Sequence, residues 1–276
     1  MVNVPIRFDR NWWQDFSHRV EHDGPWHSWE LFQLAIEAEK HLCVPHFDEL
    51  RCLSQLPTFE PLPHQIETAR TVLNKLRGRA ILADEVGLGK TIEAGLILKE
   101  YMLRGLVKSA LILVPASLVS QWTKELNEKF AIPAVAQKKP WMWEQCDILV
   151  ASIDTAKREP HRDIVLKRNY DLLIIDEAHK LKNRRTRNWQ FANQLHKKYC
   201  LLLTATPVQN DLQELYNLVT LLKPGQLGGQ QAFQSQYVVS KRQPKNEALL
   251  REEIRKVMIR NERKDSPIDF PKRHVR

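Results

Sequence analysis

The sequence predicts an α/β fold: a doubly wound, largely parallel sheet with helices on both faces, preceded by a mainly helical, tryptophan-rich appendage. Three observations predict it. Short uninterrupted apolar runs, ILA at 81–83, ALILV at 110–114, ILVA at 148–151, LLII at 172–175 and CLLL at 200–203, have the length and continuity of strands buried on both faces. Stretches with helical apolar spacing lie between them, as in Leu118, Trp122, Leu126 and Phe130. The first run belongs to ILADEVGLGKTIEAGLI (81–97), which breaks into a glycine-bearing loop and a Lys-Thr pair before a second apolar run. Strand, loop and helix in that order make a phosphate cradle.

Composition sets the outer bounds. A chain of 276 residues, 43% hydrophobic and 27% charged, has the profile of one large globular domain, or of one domain with an appendage. It contains no uninterrupted apolar run of membrane-spanning length, and Arg7, Asp9 and Arg10 do not suit a signal peptide, so a cytoplasmic protein without a membrane partner is expected. Cys43, Cys52, Cys146 and Cys200 form no C-x-x-C pair and read as free thiols. The formal charge of +9 is unevenly spread: residues 179–198 carry 7 Lys/Arg and no acid, and 241–276 carry 12 against 6. Such patches suit a polyanion, although a solvated helix face has the same composition.

Taken in order, residues 1–60 hold Trp12, Trp13, Trp26 and Trp29, aromatics that read as anchors of an accessory element, with a helix from Trp29 behind a Ser28 cap. PLPHQIETARTVLNKLRG (61–78) reads as a helix entered through prolines and stopped at Gly78. In the cradle, Gly87 and Gly89 let the backbone curl, Lys90 can reach β- and γ-phosphates, and Thr91 can hold magnesium at the positive end of the helix. The spacing departs from G-x-x-x-x-G-K-[ST], because Asp84 stands at the first glycine position. The helix after 110–114 reads as capped by Ser117, with Trp122 in its apolar stripe. Asp176 and Glu177 stand together at the carboxyl end of the 172–175 strand, where open α/β sheets place ligands; two adjacent carboxylates need a cation such as magnesium. Lys180, Lys182, Arg184, Arg185 and Arg187 crowd the next loop, a candidate for backbone-tracking contacts with nucleic acid. The helix after that loop is expected to bury Trp189, Ala192 and Leu195. Asp211 opens another helix, 225–236 reads as a Gly/Gln-rich loop, and a basic helix is expected over roughly 246–261.

The wording of these segments carries a family resemblance. ADEVGLGKT resembles motif I, DEAH motif II and TAT (204–206) motif III of the helicase and translocase superfamily that includes the Swi/Snf ATPases. VPASLVSQW looks like motif Ia, ASIDTA like motif Ib, and TATPVQNDLQELYNLVTLLKPG is similar to the Swi/Snf pattern almost position for position. Within the family the wording looks closest to the bacterial branch typified by the RNA-polymerase-associated ATPase RapA. The resemblance covers about 61–276 and implies a RecA-like P-loop NTPase lobe over 61–240, an accessory segment over 1–60, and a C-terminal helix and tail (241–276) leading towards a second RecA-like lobe.

The resemblance further implies an ATP and Mg2+ site in which Gln65 reads the adenine edge and Asp84, Gly87, Leu88, Gly89, Lys90 and Thr91 hold the nucleotide. Asp176 holds the metal through water, and Glu177 orients and deprotonates the attacking water. His179, Thr204 and Thr206 link that site to a groove where Ser117, Ser152 and Thr155, with the basic loop, touch double-stranded DNA. The chain is expected to be the first lobe of a larger monomeric, nucleoid-associated translocase, acting on RNA polymerase or another protein–DNA complex. Its arginine finger comes from the second lobe, so the chain alone hydrolyses ATP poorly or not at all. A stand-alone nucleotide- or partner-binding module and a lobe of an RNA helicase are the alternatives.

Overall fold

The computed structural model describes residues 12–24, 28–42, 47–57, 59–207, 211–240 and 243–262. Trp26, Cys43 and the 263–276 tail that resembles the end of the family's first lobe lie outside the described residues. The chain forms two compact units, Met1–His46 and Phe47–Arg276. The first contains α1 (Trp12–Glu21) and α2 (Trp29–Leu42), with Ser28 Oγ accepting a long hydrogen bond, 3.4 Å, from Leu31 N at the start of α2.

The second unit begins earlier than the expected lobe boundary at residue 61. Phe47, Leu50 and Cys52 are buried in its core, and Cys52 N donates to the buried Glu100 carboxylate at 2.9 Å. Then follow α3 (Pro63–Asn74), β1 (Arg79–Leu82), α4 (Lys90–Leu103), β2 (Ala110–Val114), α5 (Val119–Phe130), β3 (Val135–Ala136), α6 (Met142–Gln145), β4 (Ile148–Ser152), α7 (Ile153–Ala156) and α8 (His161–Lys167). The remainder is β5 (Asn169–Ile175), α9 (Arg187–Gln194), β6 (His196–Leu203), α10 (Leu212–Leu222), α11 (Gln230–Tyr237), a β7 (Val238–Ser240) and β8 (Gln243–Pro244) hairpin, α12 (Glu247–Arg255) and β9 (Met258–Ile259).

Seven strands form one sheet in the order β3-β4-β2-β5-β6-β1-β9, and every pairing in it is parallel. Strand side chains alternate between two cores. Leu111, Leu113, Leu173, Ile175, Cys200 and Leu202 enter the one that α9 and α10 cover. Ala110, Ile112, Leu172, Ile174, Leu201 and Leu203 enter the other, with α3, α4 and α5. Burial on both faces explains why these strands are apolar at consecutive positions instead of every second one. The five expected strands are all present; β3 and β9 extend the sheet at its two edges.

Three stretches differ from the sequence reading. The basic helix expected over 246–261 stops at Arg255, and Met258–Ile259 pairs with Ile81–Leu82 as an edge strand. The Gly/Gln-rich stretch expected as a loop contains α11, because Phe233 and Tyr237, one turn apart, are buried and Phe233 stacks on Tyr216 with ring centroids 4.6 Å apart. In α9 the buried residues are Phe191 and Ala192, with Leu195 just beyond, and Trp189 is only half-buried. No helix among the described residues is long and apolar enough to cross a membrane.

Candidate nucleotide site

β5, β6 and β1 are consecutive in the sheet, so the loops at their carboxyl ends share one edge. The loop after β1 brings Lys90, the loop after β5 Asp176 and Glu177, and the loop after β6 Thr204 and Thr206. Gly87 and Gly89 have φ of +93° and +89°, conformations open to glycine, which turn the chain into the N-terminus of α4. A Cβ at Gly89 would run into Gln65 Nε2. Lys90 Nζ donates to the carbonyls of Asp84 (2.6 Å) and Glu85 (3.4 Å), which holds the ammonium over the loop. Its charge also favours the ionised form of Asp176.

Asp176 is held on both oxygens: Oδ1 accepts from Glu177 N at 2.8 Å, and Oδ2 accepts from the indole Nε1 of Trp122 at 2.9 Å. Burial, the largest influence, still pushes its carboxyl above the usual range. Glu177 has φ +51°, an uncommon left-handed conformation for a side chain of this size. Its Oε2 lies 2.9 Å from His179 Nδ1, which fixes the carboxylate against the first turn of Ala178–Leu181. Thr204 is buried and its Oγ1 accepts from Thr206 N at 3.2 Å, shaping the turn after β6.

This donor set fits magnesium. The Thr91 hydroxyl and the Asp176 carboxylate are hard oxygen ligands of the type the ion takes.

Two expected nucleotide contacts are otherwise engaged. Gln65 is buried with both ends of its amide occupied: Oε1 accepts from Leu62 N and Nε2 donates to Leu88 O, both at 3.0 Å. It braces the loop, together with His64 Nε2, also 3.0 Å from Leu88 O. Leu88 itself is buried and anchors the loop. Asp84 is buried, and its carboxylate faces the protein: it accepts from Asn261 N and Nδ2, both at 2.8 Å. Glu93 is buried beside it, where burial first and the Asp84 charge second push its carboxyl well above the usual range. Burial beside a second carboxylate thus disfavours the charged form of Glu93. Neither Asn261 nor Trp122 was marked as a site residue by sequence reasoning, because their partners lie 177 and 54 residues away.

The expected nucleic-acid residues divide in the same way. Ser117 is exposed in a 3-10 turn (Ala116–Leu118), and α5 starts after it without a side-chain cap, so the expected Ser117 cap is absent. Ser152 is buried and caps α7 by accepting from Asp154 N at 3.2 Å; Thr155 is half-buried one turn on. Lys182 is buried in an ion pair with Glu214 (3.2 Å), and Arg184 lies over the rings of Trp189 and Tyr216, 5.3 and 4.8 Å from their centroids. Those two cations pack internally, whereas Arg185 and Arg187 are exposed. Arg187 joins Lys157, Arg158 and Arg162 around a cleft of about 650 Å³, a cationic surface that a linear reading does not assemble.

A glycine loop feeding the N-terminus of a helix, with paired acids at the carboxyl end of a nearby parallel strand, is the arrangement of a nucleotide-binding α/β lobe. Residues 64–276 match the model of the SNF2-related domain, and the chain belongs to that family. It is 59% identical over 274 residues to a protein described as uncharacterized ATP-dependent helicase YqhH of Bacillus subtilis, covering 99% of this chain and 49% of that protein. To the RNA polymerase-associated protein RapA of Sodalis glossinidius it is 36% identical over 190 residues, covering 62% of this chain and 19% of RapA. Among solved structures it is similar to a Sulfolobus solfataricus SWI2/SNF2 ATPase core in complex with dsDNA. That match has a TM-score of 0.69 at 24% identity and covers 79% of this chain and 47% of that one. The chain thus spans about half the length of YqhH and a smaller share of RapA.

Proposed function

We propose that the chain is the N-terminal ATP-binding lobe of an ATP-dependent double-stranded DNA translocase of the Swi/Snf type, which remodels protein–DNA complexes. The observation that carries this reading is the meeting of the Lys90-Thr91 loop with Asp176 and Glu177 at one edge of a parallel sheet. Lys90 and the N–H groups opening α4 bind the phosphates, and Lys90 moves from the Asp84 and Glu85 carbonyls to do so. Thr91, and Asp176 through water, would hold magnesium, which would supply charge neutralisation for the phosphates. Glu177, oriented by His179, accepts the proton of the attacking water. The exposed Arg185 and Arg187 and the cleft shared by Arg158 and Arg162 offer cations to DNA phosphates. An RNA-polymerase-containing complex is the partner that the name of RapA suggests, and a second RecA-like lobe is the other partner in this reading.

Titration of a fluorescent ATP analogue into the chain tests the phosphate site. Wild type is expected to bind and Lys90→Ala to lose most of the affinity; equal affinities would remove the phosphate-loop reading. In the protein extended by its second lobe, Glu177→Gln is expected to abolish turnover while leaving nucleotide binding intact. Stimulation of that turnover by duplex DNA supports the translocase reading, and stimulation by RNA alone would replace it with an RNA helicase.

A further inference from the structure

We propose that Trp122 is a positioning residue for the metal site: its indole N–H fixes the Asp176 carboxylate in the orientation in which that acid meets magnesium. The proposal rests on the nucleotide-site reading above.

By spacing alone Trp122 belongs to the apolar stripe of α5 with Leu126 and Phe130, and all three are buried. A stripe position needs only apolar volume, which leucine or phenylalanine also supplies. The structure adds something volume does not explain. Nε1 lies 2.9 Å from Asp176 Oδ2, across 54 residues of sequence, from the helix after β2 to the end of the adjacent strand β5. An indole N–H can only donate, so this contact has one polarity and selects a carboxylate or carbonyl as its partner. The other oxygen, Oδ1, accepts from Glu177 N at 2.8 Å. With one donor on each oxygen, rotation of the carboxylate is blocked, yet each oxygen keeps a lone pair for a metal-bound water. The ring is 2% exposed and wedged in a packed core, so the donor itself has little freedom. Partners of this kind orient a metal's ligands, and their removal typically lowers metal affinity by about 10- to 100-fold.

The test uses the 276-residue chain and a fluorescent ADP analogue, titrated once with magnesium and once with EDTA, for wild type, Trp122→Phe, Asp176→Asn and the double variant. Thermal unfolding is read in parallel. Wild type is expected to bind more tightly with magnesium. Trp122→Phe should lose about 10-fold or more of that magnesium-dependent gain, with affinity in EDTA unchanged. In the Asp176→Asn background the same substitution should add nothing, since both changes remove one interaction. A full magnesium-dependent gain in Trp122→Phe, or an equal loss with and without metal, would overturn the proposal and return Trp122 to the core. If Trp122→Phe unfolds, benzothienylalanine at position 122, which keeps the bicyclic shape and replaces the N–H with sulfur, gives the same reading without a packing defect. A wild-type chain that binds no nucleotide, or none better than Lys90→Ala, would instead remove the site assignment, and the proposal with it. Nucleotide binding that is intact but indifferent to magnesium would overturn the Trp122 role alone.

Discussion

At the scale of single residues, the departure from a glycine-first phosphate loop has a physical explanation. Asp84 stands at the first glycine position with its carboxylate gripping Asn261 N and Nδ2, and the Glu93 carboxyl, pushed up by burial, lies beside it. A carboxyl whose folded-state pKa is raised binds its proton more tightly in the folded chain than in the unfolded one. Its stabilising contribution is complete below the ordinary value of 4.5 and is lost as pH rises through the raised value. Glu93→Gln, which cannot ionise, removes that loss. Thermal unfolding across pH should show the variant matching wild type in acid and exceeding it increasingly above pH 4.5. Superimposable curves at neutral pH would mean that the pair is compensated by something other than a proton. Lys182 and Arg184 show a parallel economy: in a cluster that reads as a nucleic-acid surface, these two are used for an ion pair and ring contacts, leaving Arg185 and Arg187 outward.

At the scale of elements, β9 is short and has a large role. Its backbone pairs with β1, with Ala83 N donating to Ile259 O at 2.8 Å, and Asn261 then clamps the residue at which the phosphate loop begins. Asn261→Ala strips Asp84 of its Nδ2 donor and Thr68 of its partner, leaving a buried charge under-satisfied. The cost is about 3 kcal/mol. For a unit of this size that lowers the melting temperature by about 6–12 °C, measurable by calorimetry; a shift within about 1 °C would show that the clamp contributes nothing. Such elements explain what the sequence could and could not tell. Lys90-Thr91 and Asp176-Glu177 were legible because each pair terminates or follows an apolar run, and the loop after a buried strand has few places to go. β9 was not, since two residues give no period and Val257-Met258-Ile259 continue a charged helix without a break. α11 was hidden by glutamine, which leaves Phe233 and Tyr237 alone to mark its buried face. Gln65 was correctly placed at a helix start, but its partners, Leu62 and Leu88, appear only once the loop is folded against that helix.

At the scale of the molecule, the chain corresponds to about half of its relative YqhH. In the proposed two-lobe protein the second lobe would bring a cation to the transferring phosphate, and this lobe by itself would lack it. An arginine supplied in this way is worth about 10³- to 10⁵-fold in rate. The chain alone is therefore expected to turn over ATP at least about 10³-fold more slowly than the two-lobe protein, measured by phosphate release with saturating duplex DNA. Comparable rates would mean that the site described here is complete. Duplex binding through Arg185, Arg187 and the cleft with Arg158 and Arg162 is expected to weaken steeply with salt, because each phosphate contact releases a counterion. Arg187→Ala should flatten that slope in a fluorescence-anisotropy titration; an unchanged slope would place the contacts elsewhere.

The parallel clamp at β9 also fixes an order of events during synthesis. β1 lies between β6 and β9, and both neighbours come from far along the chain: Arg79 aligns with Cys200, and Asp84 meets Asn261 across 177 residues. Until the ribosome has delivered residues 196–203, β1 has no partner strand, and until residue 261 has emerged one of its edges stays open. The strand that launches the phosphate loop is thus among the first made and the last enclosed, which makes its closure a slow, long-range step in assembling the lobe.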